Sequence, residues 1–268
     1  MTREFHDTVL RYWKKEGRHT LPWRKTHDPY KILVSEIMLQ QTQVDRVIPY
    51  FERWVKKFPT VQVLAKAPLA DVLKEWSGLG YNRRAKLLRE CAKEIVEKHS
   101  GKVPKDFAAL VALPAIGPYT AGAIRAFAFN EEGIFIETNI RAALIHHFFP
   151  KSRKVPDTKL IPILEASLPN AKVSPREWYS ALMDYGAYIK KTNPNPSRRS
   201  AHHAKQSQFK GSLRQARGAI LRTLVSSSAN ERKLKEKTPP TFYKKALESL
   251  QKENMIEKKS GKWQLMRD

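Results

Sequence analysis

The stretch Leu113-Pro114-Ala115-Ile116-Gly117-Pro118-Tyr119-Thr120-Ala121-Gly122-Ala123-Ile124 leaves the chain few choices. Leu113 to Gly117 reads as a tight turn, and the small residues after it open a helix. Backbone N–H groups at that helix N-terminus are therefore presented to an anion such as a DNA phosphate. A second stretch, Ser35-Glu36-Ile37-Met38-Leu39-Gln40-Gln41-Thr42-Gln43, sets a carboxylate one turn before a run of amides at what reads as a helix end. Around both, apolar residues recur at helical spacing and no stretch sustains the alternation of a strand. The first two-thirds of the chain is expected to be all-helical, with many helices of three turns or fewer.

In chain order, Phe5, Val9, Leu10 and Trp13 share one face of a first helix ending near Glu16. Leu21-Pro22-Trp23-Arg24 is expected to be extended, because the residue before a proline avoids the helical region. Asp28-Pro29 starts a helix over 30–39, Pro29 standing at its first position. A helix over 43–57 contains Pro49, which should bend or divide it. Shorter helices follow over 60–65, 68–76, 83–97 and 104–113, then an apolar one over 123–129 that stops at Asn130-Glu131-Glu132-Gly133. Ile134 to Glu137 emerges extended, and Thr138-Asn139 can cap a helix over 140–148. Further helices are expected over 160–168 and 175–188. Residues 190–212 are polar and rich in Pro, Ser and Lys, so they read as a linker. The last segment has helices over 213–225 and 240–252 and then strand, turn, strand over 255–265, a winged helix-turn-helix pattern that other small helical caps share.

With 268 residues the chain has room for two lobes and an appendage. Its net charge of +24 far exceeds what solubility needs and points to a polyanion, nucleic acid ahead of an anionic membrane surface. The charge is uneven: residues 190–268 hold 20 Lys and Arg against 6 Asp and Glu, +14 of the total. The single cysteine, Cys91, excludes an internal disulfide and any four-cysteine metal or iron–sulfur site, and its helical apolar surroundings make it a buried small hydrophobe. His146-His147 and His202-His203 are adjacent pairs that diverge on a helix, so no metal site is expected. No apolar run reaches membrane-spanning length, and the first residues lack a signal-peptide core, so a cytoplasmic protein is expected.

Glu36 lies in an otherwise uncharged segment, where desolvation favours the protonated form and makes it a candidate general acid. A salt-bridged or capping glutamate is the structural alternative. Glu137, between Ile136 and Thr138, invites the same argument. Two such carboxylates can divide one task, one protonating a leaving group and the other stabilising a cationic sugar.

Leu21-Pro22-Trp23-Arg24, Pro29-Tyr30, the 35–44 stretch, Gly78-Leu79-Gly80-Tyr81, Leu113 to Gly117, Thr120 to Ile124 and Asn139 together resemble the helix-hairpin-helix DNA glycosylases (HhH-GPD superfamily), most closely the MutY-type adenine glycosylases. The resemblance runs from about Leu21 to Ala187. It implies a two-lobed helical fold that holds DNA and a flipped base in its cleft. By position, Glu36 matches the general acid, Arg24 a base-pocket residue, Gln40-Gln41-Thr42 the residues that enter the duplex, Tyr81 an aromatic that supports the strand, and Ala115-Ile116-Gly117 the phosphate-gripping hairpin. Tyr119 stands where strand-nicking relatives carry a Schiff-base lysine, which implies a monofunctional enzyme.

The sequence departs from that family at four places. The sugar-stabilising position holds Glu137 in place of the usual aspartate. The four-cysteine cluster motif after Ala187 is missing, so no iron–sulfur cluster or other cofactor is expected. Ala115 replaces the hairpin's first glycine and calls for negative φ. The Nudix-like domain that reads 8-oxoguanine is expected to be absent, with a short basic tail in its place.

The expected organisation is one lobe from 1–27 and 134–189, a barrel lobe over 28–133 with the helix-hairpin-helix at about 106–124, a linker over 190–212, and a winged-helix-like tail over 213–268. The expected function is removal of adenine opposite guanine or 8-oxoguanine from double-stranded DNA by a monomer. The alternatives are a glycosylase for thymine or uracil opposite guanine and a DNA-binding protein without catalysis.

Overall fold

A computed structural model describes residues 2–168, 173–203 and 208–266. In chain order the helices are α1 (Thr2–Glu16), α2 (Pro29–Leu39), α3 (Val44–Lys57), α4 (Val61–Lys66), α5 (Leu69–Trp76), α6 (Arg83–Lys98), α7 (Phe107–Ala112), α8 (Pro118–Phe129), α9 (Thr138–Phe148), α10 (Asp157–Ser167), α11 (Pro175–Thr192), α12 (Leu213–Ser226), α13 (Glu231–Lys237) and α14 (Tyr243–Lys252). Strands β1 (Ile256–Lys259) and β2 (Lys262–Leu265) close the chain. The fold is thus all-α with one small hairpin.

Local chemistry accounts for most boundaries. Thr60 caps α4 by accepting from the Val63 N–H, and Ser174 with Glu177 forms a capping box at α11, whose first residue is Pro175. Asn130 ends α8 in the left-handed conformation. The hairpin turn Ser260-Gly261 has positive φ at both residues, as a two-residue connection between twisted strands requires.

Several expectations are corrected. Pro22–Arg24 forms a 3-10 turn; only Leu21, immediately before the proline, keeps the extended backbone. Pro49 does not divide α3, which runs unbroken past it. Asn230 caps a helix, α13, that the charged sequence Glu231 to Lys237 did not announce. Residues 190–203, expected within the linker, instead finish α11 and form a second 3-10 turn, Pro196–Arg199; residues 204–207 of that linker lie outside the described ones.

The chain divides into two compact units. The first takes the chain up to Ile32, Lys105–Val111, and from Ile116 through α11 and the Pro196–Arg199 turn. Its core joins Phe5 and Val9 of α1, Ile140 and Leu144 of α9, Leu160 and Leu164 of α10, and Trp178 and Leu182 of α11. The second takes Leu33–Pro104, Ala112–Ala115 and the segment from Phe209 onward. Here Trp54, Phe58 and Trp76 are fully or almost fully buried, the two indoles meeting edge to face at 5.4 Å.

These boundaries differ from the expected ones. Residues 116–133 fall with α9 to α11, and the tail from α12 to β2 falls with residues 33–104. Polar anchors hold that tail: Lys86 of α6 donates to the Glu253 carbonyl at 2.5 Å, and Arg217 makes a two-pronged pair with the Glu253 carboxylate at 2.7 Å.

Candidate active site

In the second unit, Glu36 sits on α2 beside Leu33, Val34, Ile37 and Met38, all without appreciable exposure, and is itself 5 % exposed. Three residues beyond it α2 ends, and its last carbonyls have no partner within the helix. Arg84 of α6 meets them. This arginine, 8 % exposed, donates from Nη1 to the carbonyls of Ile37 (2.8 Å), Met38 (3.0 Å) and Gln40 (2.5 Å). From Nη2 it donates to the Thr42 hydroxyl (3.0 Å) and the Gly80 carbonyl (3.2 Å). Its guanidinium also lies 5.3 Å from the ring centres of both Trp76 and Tyr81. Burial pushes the Arg84 pKa down to about 10, against a smaller opposing effect of Tyr81.

One cation thereby fastens two loops together, Gln40-Gln41-Thr42 and Gly78 to Asn82. Both carry backbone strain: Gln41 has φ of 55° and Tyr81 of 49°, in the left-handed region. Gly78 is constrained on the other side, because a Cβ there would come within 2.4 Å of the Tyr50 hydroxyl. The two loops and α12 line a cleft of about 750 Å³ that includes Gln40, Gln41, Thr42, Tyr81, Arg214 and Arg222. Arg214, at the start of α12, donates to the Tyr81 hydroxyl at 2.5 Å.

In the first unit, Glu137 is the N-cap of α9. Its Oε1 accepts from the backbone N–H groups of Asn139 (2.6 Å) and Ile140 (2.9 Å), and Oε2 accepts from Asn139 Nδ2 (3.2 Å). Lys190 of α11 donates to Asn139 Oδ1 at 3.1 Å. Burial raises the Glu137 pKa, and the two backbone donors, Lys190 and Arg141 oppose that rise without cancelling it. Gly186 allows α11 to approach this corner, since a Cβ there would stand 1.9 Å from the Asn139 carbonyl oxygen.

Tyr119 packs edge to face on Phe135, two residues before Glu137, with ring centres 5.6 Å apart; Phe135 in turn stacks on Tyr179 at 3.9 Å. Arg24 is engaged by Asp184 of α11, donating through Nη1 at 2.5 Å and Nη2 at 2.8 Å, while Arg18 binds the same carboxylate. Asp184 is 2 % exposed; burial pushes its pKa up, but hydrogen bonds and charge from Arg24, with Arg18, outweigh this and hold it below the usual range.

Gly117 is the N-cap of α8 with extended backbone, and Ile116 is buried. Ala115 overturns the expectation of negative φ: it stands at 67°, where its side chain is strained by about 1–2 kcal/mol and glycine would not be.

The structure thus gathers Gln40, Gln41, Thr42 and Tyr81 around one cleft, sets Glu137 and Asn139 together at the start of α9, and fixes Arg24 to α11. Arg84, Asp184 and Gly186 escaped the sequence reading. A glycine and a lone acid amid the apolar positions of α11 are legible signals for the last two. Arg84, in the run Asn82-Arg83-Arg84, gives none.

The residues present do not fit a four-cysteine cluster. Cys91 is buried on α6, where burial pushes its thiol up to about 12. Past Ala187, Arg199 of the 3-10 turn donates instead to the carbonyls of Pro150 (2.6 Å) and Phe149 at the end of α9. Among the described residues no group of three or more His, Cys, Asp or Glu could hold a metal ion, and no helix is long and apolar enough to cross a membrane.

Comparison with known proteins gives consistent matches. Residues 34–161 match the family model of the HhH-GPD superfamily base excision DNA repair proteins. The chain is 40% identical over 195 residues to the adenine DNA glycosylase of Buchnera aphidicola subsp. Baizongia pistaciae, covering 72% of this chain and 55% of that one. It is 40% identical over 191 residues to the adenine DNA glycosylase of Mycobacterium tuberculosis, covering 70% and 62%. It therefore spans a little over half the length of these relatives. Among solved structures, a thermostable thymine-DNA glycosylase superposes with a TM-score of 0.60 at 27% identity, covering 69% of this chain and 86% of that one. A non-covalent endonuclease III–DNA complex superposes at 0.56 with 16% identity, covering 79% and 92%, a likeness of fold.

Proposed function

We propose that the chain, whose residues 34–161 match the HhH-GPD superfamily of base excision DNA repair proteins, is a monofunctional adenine DNA glycosylase. Its substrate is double-stranded DNA with adenine opposite guanine or 8-oxoguanine. The observation that carries the reading is Glu36, a carboxyl buried on an apolar helix directly ahead of the loop that Arg84 braces. The adenine glycosylases at 40% identity support the choice of base.

In this reading Gln40, Gln41 and Thr42 fill the duplex where the adenine has left, and Tyr81 supports the strand. Glu36 protonates a ring nitrogen of the purine. The bond from the anomeric carbon to the base breaks with its electron pair going to the base, which leaves neutral. Glu137, ionised and oriented by the α9 N–H groups, faces the positive charge that develops on the sugar. Water adds to the anomeric carbon and returns a proton to Glu36. Asn139 and Lys190 hold Glu137 in place, and Arg24, locked by Asp184, forms a fixed wall of the base pocket. Ala115, Ile116 and Gly117 with the α8 N-terminus grip a phosphate. Tyr119 has no amine for a Schiff base, so the product is an abasic site in an intact strand. The enzyme works without an iron–sulfur cluster, as a monomer in the cytoplasm.

Thymine or uracil opposite guanine is the second reading, favoured by the superposition on a thymine-DNA glycosylase. Single-turnover base release on duplexes with adenine opposite guanine, 8-oxoguanine, cytosine and thymine, and with thymine or uracil opposite guanine, separates the two. The expected result is breakage of adenine strands only after alkali. Release of thymine or uracil alone moves the assignment to the second reading, and tight binding without release of any base overturns catalysis.

A further inference from the structure

The exposed face of the segment from α12 to β2 takes no part in the reaction described above. That segment runs helix α12, a strand stub at Ala229, helices α13 and α14, then the β1–β2 hairpin. Ala229 is paired with Trp263 of β2 by two backbone hydrogen bonds of 2.9 and 2.8 Å, so the hairpin carries a third short edge. This is the order of a winged helix-turn-helix, in which α14 takes the place of the recognition helix and the hairpin that of the wing. Ile220, Leu224, Leu234, Ala246, Leu250, Met255 and Trp263 supply its interior.

The residues of α14 divide by face. Tyr243, Ala246 and Leu250 are buried, whereas Lys244, Lys245, Glu248, Gln251 and Lys252 are exposed. The exposed set follows i, i+1, i+4, i+7, i+8, one side of a helix. On the wing, Lys258, Lys259, Ser260, Gly261 and Lys262 are exposed together. The ion pairs of this segment involve other groups: Glu231 with Lys235, Glu236 with Arg232, and Glu253 with Arg217. Among the described residues the six lysines of helix and wing make no ion pair.

We propose that α14 and the β1–β2 wing form a second surface for duplex DNA, with α14 in the major groove and Lys258, Lys259 and Lys262 on neighbouring phosphates. A helix about 10–12 Å across matches a B-form major groove about 12 Å wide, whereas the deep, narrow major groove of duplex RNA excludes it. Glu248 and Gln251, midway along the exposed face, offer an acceptor and an amide to base edges. The surface is not a loose appendage, since Arg214 ties α12 to Tyr81 and Lys86 ties α6 to the end of α14. A duplex contact made by α14 therefore stands at a set distance from the Gln40-Gln41-Thr42 loop within the same unit. The inference rests on topology and charge and survives even if no base is released.

The test uses the full chain, with affinity for undamaged duplex DNA read by fluorescence anisotropy across a potassium chloride series, and footprints and base release read on a duplex carrying adenine opposite guanine. Replacing Lys258, Lys259 and Lys262 together by alanine removes three phosphate contacts and should flatten the slope of log affinity against log salt by about 2.7. The arginine triple variant should restore the slope. Lys244→Ala with Lys245→Ala should remove hydroxyl-radical protection from one patch of the duplex away from the lesion. Base release at saturating enzyme should stay unchanged in every variant. An unaltered slope in the alanine triple variant overturns the proposal. So does an equal loss of binding to duplex RNA, or a loss confined to vesicles with anionic lipid, because neither uses a helix in a B-form groove.

Discussion

The end of α2 and the start of α9 are opposite solutions to the same problem. A helix leaves carbonyls unpaired at its last turn and N–H groups unpaired at its first. At α2 a cation, Arg84, gathers the carbonyls; at α9 an anion, Glu137, gathers the N–H groups. Each charge opposes the local pole of the helix dipole, so each is favourable where it stands. They differ in origin. Arg84 arrives from α6, more than forty residues away, and holds the Gln40-Gln41-Thr42 loop that is proposed to enter the duplex. Glu137 is its own helix's cap and is proposed to act in the reaction itself. The comparison teaches that one terminus is tied down by a distant side chain, whereas the other is capped by a charge from its own segment.

The sharpest way to break this division is to remove charge and keep shape. Glu36→Gln and Glu137→Gln should each slow single-turnover base release by about 10²- to 10³-fold, while duplex binding stays close to that of the parent. Glu137→Gln retains an oxygen acceptor and should cost no more than about 1 kcal/mol of stability in denaturant unfolding. A loss of folding in Glu36→Gln would return that residue to a structural role.

Arg84→Met should do the reverse. It strands three carbonyls of the α2 end and the Thr42 hydroxyl, and should cost roughly 3 kcal/mol of stability. Duplex affinity should fall with it, because the Gln40-Gln41-Thr42 loop loses its brace. A variant with parental stability and affinity would show that the loop is held by other means.

A pH profile sharpens the account of the α9 end. In the proposed reaction Glu137 serves as a carboxylate; its pKa lies above the ordinary range, so activity should be lost as pH falls through that raised value. Lys190 lowers the pKa, so Lys190→Met should let it rise and move the acid limb of base release to higher pH. An unmoved limb would disconnect Lys190 from the reacting carboxylate.

The smallest effect concerns the turn at Ala115. Ala115→Gly relieves a left-handed φ and should stabilise the protein by about 1 kcal/mol, with base release unchanged. Destabilisation would mean that the freedom gained by the unfolded chain exceeds the strain removed.

The same asymmetry separates what could be read from the chain from what could not. Helix starts and stops depend on neighbours within a turn, so Asp28-Pro29, Pro175 and Asn130 were legible. Glu137 could be singled out as a candidate, because its setting between Ile136 and Thr138 is local. Its role as the cap itself depends on side-chain direction, which spacing leaves open. The tail's helix-and-hairpin order was likewise visible from periodicity and the Ser260-Gly261 turn, although α13, a charged helix made by its Asn230 cap, was not.

By itself the sequence determined the all-helical class, the single cysteine that rules out a four-cysteine cluster, the basic tail, and the two carboxylates in their apolar settings. These follow from composition and from spacings shorter than a turn or two. Tertiary structure alone decided that Arg84 caps α2, that Asp184 holds Arg24 and Arg18, that Gly186 admits Asn139, and that the tail packs with residues 33–104. Each is a contact between residues far apart in the chain, chosen by burial. A buried guanidinium or carboxylate must find partners wherever packing puts them, and one sequence does not say where that is.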